Sequence, residues 1–277
     1  MYPSFHRSLT GVRVDWPEFA PIAAAAGFPA TDVWTTAALD EGVDATLETL
    51  YSNRLLPATL TLDVDFRGAE ATYQQDFERL HEMAQFSAEI LCPKFVARLD
   101  PSGPLPKPEW RKIQLERVQA ICRVLEEYDA RLALEFISSA DIMRAQPHEF
   151  LWRMPETMEF LEEAGPNCGL LLDSWHWHYS GATPADILAA GERIFHVHIN
   201  DAPEQPFDQV IDKERLMPGE GVINLAGFLG ALQQTGYTSA VSVEVFSSML
   251  KTIPPEQGAR LGYETTMAVL AKYAAQA

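Results

Sequence analysis

Gly169-Leu-Leu-Leu-Asp173 is an apolar run that closes on an acid, and three other stretches repeat the pattern: Leu132-Ala-Leu-Glu135, Phe195-His-Val-His198 and Val241-Ser-Val-Glu244. Each has the length and composition of a buried parallel strand. Strands covered on both faces are normally apolar throughout, and a bare carboxylate taken out of water is costly unless it is paired, hydrogen-bonded or bound to a cation. A divalent ion would satisfy three carboxylates and one imidazole together. Alternation of side chains supports this, because residues two apart share a face. Ala133 then lies with Glu135, Leu171 with Asp173, His196 with His198, and Ser242 with Glu244. The opposite faces carry Leu132, Leu134, Leu170, Leu172, Val197, Ile199, Val241 and Val243, which would meet an outer layer of helices.

Working outward, strand-like segments fall at Ser4–Thr10, Ala30–Thr35, Pro57–Val64, Lys94–Leu99, Arg131–Ile137, Cys168–His176, Ile194–Asn200 and Ala240–Phe246. Helix-like stretches separate them: Trp16–Ala26, Leu39–Ser52, Ala71–Glu89, Pro108–Tyr128, Glu149–Glu163, Thr183–Ala190, Leu225–Thr235 and Glu256–Ala275. Strict alternation of this kind is the signature of an α/β protein with a parallel sheet. At 277 residues the chain suits one (β/α)8 barrel, a fold of about 250 residues. No composition break or flexible linker divides it, so residues 1–277 read as a single domain. The Pro-rich stretch Pro101–Pro108 and the long connection Asp201–Gly221 follow the fourth and seventh strands, which places both at the carboxyl face, where such barrels carry their chemistry.

Charge and cysteine usage narrow the partners. The formal net charge of −18 repels phosphodiester backbones, which argues against nucleic acid. Cys92, Cys122 and Cys168 are odd in number, widely spaced and set in apolar surroundings, so neither a disulfide framework nor a zinc cluster is expected. The N-terminus resembles no secretory signal, and no run of 18 apolar residues could span a bilayer. The expectation is a cytoplasmic protein without membrane association. No Gly-rich phosphate cradle and no dinucleotide fingerprint occurs, so no nucleotide cofactor is expected.

Gly169-Leu-Leu-Leu-Asp-Ser-Trp-His-Trp-His178, Phe195-His-Val-His-Ile-Asn-Asp201, Arg215-Leu-Met-Pro-Gly-Glu-Gly221 and Val243-Glu-Val-Phe246 together resemble the xylose-isomerase-like TIM-barrel superfamily of sugar isomerases and epimerases. The likeness is greatest to its inosose (2-keto-myo-inositol) isomerase branch. It is strong from Arg131 onward, whereas the preceding residues match only in strand and helix rhythm. The resemblance implies metal ligation by Glu135, Asp173, His198 and Glu244, the same four residues that the strand reading selects. It further implies that His176 and Arg215 contact substrate oxygens; a homodimer or homotetramer is common among such proteins. His196 is expected to be a hydrogen-bonded neighbour of the ligands rather than a ligand. At strand eight the epimerase branch usually has Met-Glu-Pro-Phe where this chain has Val243-Glu-Val-Phe246. The inosose branch tends to carry an arginine after that phenylalanine, where Ser247 stands here.

Three carboxylates and one imidazole form a hard site that suits Mn²⁺, Mg²⁺ or Co²⁺ and admits Zn²⁺. The implied chemistry is proton transfer next to the carbonyl of an unphosphorylated keto-polyol or ketose through an enediolate, with Glu135 and Glu244 as base and acid. A dehydratase of carbocyclic keto acids would begin with the same step, and Arg98, Lys107 and Arg215 are the cations available for its carboxylate. A non-catalytic sugar-binding barrel is a third reading, although it would leave Glu135 and Glu244 without a task. A three-metal endonuclease is disfavoured, because between residues 30 and 100 the only histidine is His81, in a helical stretch. From the first four strands, His6, Trp34, Asp63 and Arg98 are the pocket candidates.

Overall fold

The computed structural model describes residues 1–273 apart from 13 and 15. Eight parallel strands close into a barrel: β1 (Tyr2–Phe5), β2 (Ala30–Val33), β3 (Leu56–Thr61), β4 (Lys94–Leu99), β5 (Arg131–Phe136), β6 (Cys168–Asp173), β7 (Ile194–Ile199) and β8 (Ala240–Val243). Each strand pairs with its sequence neighbours, and β8 returns to β1 through Tyr2 opposite Ala240 and Phe5 opposite Val243. The outward faces are apolar as the alternation requires: Leu134, Leu170, Leu172, Val197, Ile199, Val241 and Val243 are fully buried beneath the helical layer. The inward faces carry Glu135, Asp173 and His198 toward the carboxyl mouth, with Glu244 one residue beyond β8. In register, Asp173 lies opposite His198, and His198 opposite Ser242.

Several strands end earlier than the sequence pattern suggests, and in β1 and β6 a polar side chain is the cause. β1 was expected over Ser4–Thr10 but stops at Phe5. There the His6 imidazole accepts the backbone N–H of Ser8 and starts a 3-10 turn over Arg7–Thr10. β6 was expected to reach His176 but stops at Asp173. The Asp173 carboxylate accepts the backbone N–H of Trp175 at 2.7 Å and of His176 at 3.2 Å, capping a helix over Ser174–Tyr179. β3 and β8 also end short, at Thr61 and Val243, where Val64 and Phe246 are expected.

Two expected helices are divided. Leu39–Ser52 is replaced by Thr35–Glu41 and Val43–Ser52, separated by Gly42 at φ 89°, a conformation suited to glycine. Ala71–Glu89 becomes Glu70–Glu78 and Leu80–Glu89, joined at Arg79. The expected Glu149–Glu163 helix instead covers Met154–Ala164, and Glu149 pairs with Ser102 in a two-residue antiparallel ladder over the carboxyl face. The final helix spans Pro255–Tyr273; expected positions 274 and 275 lie outside the described residues. The three cysteines are buried and unpaired. Among the described residues no helix is long and apolar enough to cross a membrane.

Candidate metal centre

Four strand ends bring Glu135, Asp173, His198 and Glu244 together. One potential ligand atom from each lies within 4.8 Å of the others, and all four residues are buried. His198 Nδ1 is 3.4 Å from Glu135 Oε1, 3.4 Å from Glu244 Oε2 and 3.9 Å from Asp173 Oδ2. Glu135 Oε1 and His198 Nδ1 have no hydrogen-bond partner although both are shielded from water. Orphaned buried polar atoms need an explanation, and a cation accepting lone pairs from this oxygen-rich set supplies one. The residues present therefore fit a divalent ion, with an oxygen of Glu135 and one of Glu244 each 3.4 Å from the same ring nitrogen.

The electrostatics follow from this crowding. Burial, and then the neighbouring Glu244 carboxylate, raise the Glu135 pKa. Burial pushes Glu244 the same way, but His198 and Arg215 hold it well below the ordinary carboxylate range. Burial alone would lower the His198 pKa, yet Glu244 and Glu135 carry it well above the usual imidazole value.

Arg215 is placed differently from an exposed residue before a tight turn. It is 2% exposed and its Nη1 donates to Asp173 Oδ2 at 3.0 Å and Glu244 Oε2 at 2.7 Å. Nη2 donates to Asp212 Oδ1 at 2.7 Å. The guanidinium is thus the resident counter-charge of the acidic cluster. His176, fully buried in the helix after β6, accepts the Ser138 backbone N–H at its Nδ1, 3.0 Å away. Its proton must then sit on Nε2, which lies 3.2 Å from Arg215 Nη2. Two N–H donors stand side by side there, and Asp212 Oδ1, 2.7 Å from Nη2 and 3.8 Å from His176 Nε2, is the acceptor oxygen that faces both.

Other candidates are dispersed. Arg98 pairs with Asp100 at 2.9 Å, and Lys107 is engaged by Glu156 and the Phe150 carbonyl. Neither lines the cavity that Glu244 borders; its cations are Arg7, Lys213 and Lys251, and Arg215 and His176 lie outside its walls as well. Asp63 accepts from the Thr36 backbone and hydroxyl. His6 and Trp34, by contrast, line a cavity of about 700 Å³ that also contains Glu244, Phe246 and Ser247. His6 Nε2 is 3.4 Å from Glu244 Oε1, and burial drives its pKa down to about 3, so the ring is neutral.

Sequence reasoning missed Asn200 and Asp212. Asn200 Nδ2 donates to Asp173 Oδ2 at 2.9 Å and to the Glu244 backbone carbonyl at 3.1 Å, tying β6 to β8. Its position two residues after His198, and so on the same face, was the available signal. Asp212 lies inside the long connection after β7, where no periodicity marks it. That connection is anchored by Asp201, which accepts the backbone N–H groups of Ala202, Gly219 and Ile223.

Barrel and site together define a (β/α)8 protein with a buried three-carboxylate, one-histidine centre at its carboxyl mouth. Residues 14–272 match the family model described as xylose-isomerase-like TIM barrel, and the chain belongs to that family. It is 28% identical over 238 residues to inosose isomerase from Halalkalibacterium halodurans, an alignment covering 84% of this chain and 82% of that one. Among solved structures it is similar to a xylose isomerase domain protein from Alicyclobacillus acidocaldarius (26% identity, TM-score 0.88, 98% of both chains covered). The IolI protein with a bound zinc atom shares the fold at 24% identity and TM-score 0.85, with 99% of both chains covered.

Proposed function

We propose that this protein is a metal-dependent isomerase or epimerase that moves a proton next to the carbonyl of an unphosphorylated keto-polyol or ketose, with an inosose-like substrate favoured. The observation that carries the reading is the convergence of Glu135, Asp173, His198 and Glu244 within 4.8 Å, with Glu244 also in the wall of the roughly 700 Å³ cavity. These four residues would hold Mn²⁺, Mg²⁺, Co²⁺ or Zn²⁺. When bound, such an ion supplies Lewis-acid polarisation of a substrate carbonyl.

The chain's own groups supply the rest. Glu244, kept ionised by His198 and Arg215, is the base that takes the proton from the carbon beside the carbonyl. Glu135, whose pKa is raised by burial and by Glu244, is the partner that returns a proton to the enediolate. Two carboxyls with pKa values driven apart by their surroundings divide the acid and base roles. His176 Nε2–H and Arg215 Nη2–H, side by side and now turned to one acceptor, Asp212 Oδ1, are the donors for a substrate oxygen on which negative charge develops. The 28% identical inosose isomerase supports the substrate class.

The test is elemental analysis of the purified wild type and of Glu244→Gln, joined to deuterium exchange from D₂O into a panel of inososes and ketoses. One equivalent of metal with solvent deuterium entering beside a carbonyl, lost in the variant, is the expected result. Wild-type protein that binds no metal overturns the reading. Metal without exchange into any member of the panel moves the substrate to another class.

A further inference from the structure

Beneath the metal centre the barrel interior holds a second polar layer: Ser4, Asp32, Thr59, His196 and Ser242, contributed by β1, β2, β3, β7 and β8. Asp32 Oδ1 accepts the hydroxyls of Ser242 at 2.8 Å and Thr59 at 2.9 Å, with Ser4 Oγ at 3.5 Å. Asp32 Oδ2, His196 Nδ1 and His198 Nε2 are buried and without partners. An Asp32 oxygen and one ring nitrogen from each histidine lie within 4.8 Å of one another.

The protons in this layer can be counted. Ser242 gives its single hydrogen to Asp32, so at its 2.8 Å contact with His196 Nε2 it must accept. His196 therefore carries its proton on Nε2 and offers a lone pair at Nδ1. His198 presents Nδ1 to the three carboxylates. When that lone pair serves a metal, the neutral ring keeps its proton on Nε2. With Asp32 as a carboxylate, the three orphaned atoms amount to one N–H donor and two acceptors. One water molecule matches that set: it accepts from His198 Nε2–H and donates to Asp32 Oδ2 and His196 Nδ1. Buried waters typically make about three hydrogen bonds of this kind. A second cation does not match, because His198 Nε2 has no lone pair to give.

We infer that Asp32 is a positioning residue of the metal centre, fixing the tautomer and ring orientation of His198 through one water shared with His196. The inference rests on His198 being a metal ligand. Partners of this kind behind a ligating histidine raise its basicity and are typically worth about 10–100-fold in metal affinity.

The experiment is cobalt(II) and zinc binding to the metal-stripped full chain by chelator competition, for wild type, Asp32→Asn and Thr59→Val. It is joined to proton NMR of the cobalt-loaded forms. Wild type should bind one equivalent and show a hyperfine-shifted, slowly exchanging imidazole N–H from His198. Asp32→Asn replaces the Oδ2 acceptor by a donor; it should bind about 10–100-fold more weakly, and its N–H signal should shift and exchange faster. Thr59→Val removes a hydroxyl from the other oxygen and should stay within about threefold of wild type. Should Asp32→Asn fail to accumulate as folded protein, the wild-type signal decides: an N–H that exchanges at once with D₂O overturns the inference. Unchanged affinity and signal in Asp32→Asn, or two equivalents of metal in wild type, also overturn it. No metal binding by wild type overturns the metal centre itself, which separates that failure from a failure of Asp32.

Discussion

Replacing Arg215 with Met should make this barrel dependent on metal for its stability. Arg215 is almost wholly buried and donates to Asp173, Glu244 and Asp212. Methionine preserves much of the length but leaves three carboxylates without their shared cation. Removing one partner of a buried ion pair costs about 3–5 kcal/mol, because the remaining charge stays desolvated. At ~2–4 °C per kcal/mol for a chain of this size class, the metal-stripped variant should melt roughly 6–20 °C below wild type. The deficit should shrink on acidification. Glu244 has a folded pKa depressed below its ordinary value, so its stabilisation is present above about pH 4.5 and is lost as pH falls toward the depressed value. Arg215→Met has already forfeited much of that term. Divalent metal should narrow the gap by supplying the missing positive charge. The assay is thermal denaturation of both proteins, with chelator and with excess Mn²⁺ or Zn²⁺, at neutral pH and near pH 4. A melting temperature within about 2 °C of wild type under chelator, taking the same conversion, would refute the claim that Arg215 is the resident counter-charge.

Other consequences are accessible to the same methods. Metal at 100 times its dissociation constant should stabilise the wild type by about 2.7 kcal/mol if only the folded state binds, read as a melting shift that chelator reverses; Asp173→Asn should abolish most of it. Gly221→Ala should destabilise the protein by about 1–3 kcal/mol, because the new Cβ would sit 2.2 Å from the Ala202 carbonyl oxygen and 2.5 Å from Asp201 Oδ1; denaturant unfolding checks this, and a neutral substitution would show that the Asp201 loop is not tightly packed. In metal-free protein, His6→Asn should flatten the pH dependence of stability. With the His6 pKa lowered from 6.5 to about 3, unfolding takes up a proton between those values, so stability falls as pH drops through that window by up to about 1.4 kcal/mol per unit. Unchanged slopes in the variant would refute a neutral His6.

How much of this was legible in the sequence depended on how loudly each residue contradicted its surroundings. An acid at the end of Gly169-Leu-Leu-Leu is conspicuous, and so the residues that structure gathers into one cluster could be picked out together. The inner and outer faces of β5 to β8 were readable for the same reason, since a period of two survives burial. What polar side chains do to the backbone was not readable. Asp173 and His6 both read as strand residues, and both turn out to end strands by accepting backbone N–H groups. Asp32 was invisible. It sits in Ala30-Thr-Asp-Val33, a stretch with no acid-ending apolar run, and its partners Ser242, Thr59 and Ser4 come from three other strands. Arg215 was singled out as a substrate contact, but its partners in the folded centre could not be inferred from a turn motif.

The placement of Asp173 shows why a barrel with so many buried acids can hold its ligands in position. One oxygen is occupied by the first turn of the following helix, through the N–H groups of Trp175 and His176. The other meets Arg215 and Asn200. The carboxylate is therefore oriented by backbone and side-chain donors that owe nothing to a metal, and Asn200 passes the constraint on to the Glu244 backbone carbonyl. Donors of this kind also reduce the cost of keeping a charge out of water. Glu135 Oε1 and both His198 nitrogens have no such partners. The centre thus divides into a half that is fixed by the fold and a half that remains to be satisfied. Metal release should accordingly loosen Glu135 and His198 while leaving Asp173 in place. Hydrogen exchange provides the measurement: the Trp175 and His176 amides should keep their protection in chelator, and loss of that protection would show that Asp173 is ordered by the metal rather than by its helix.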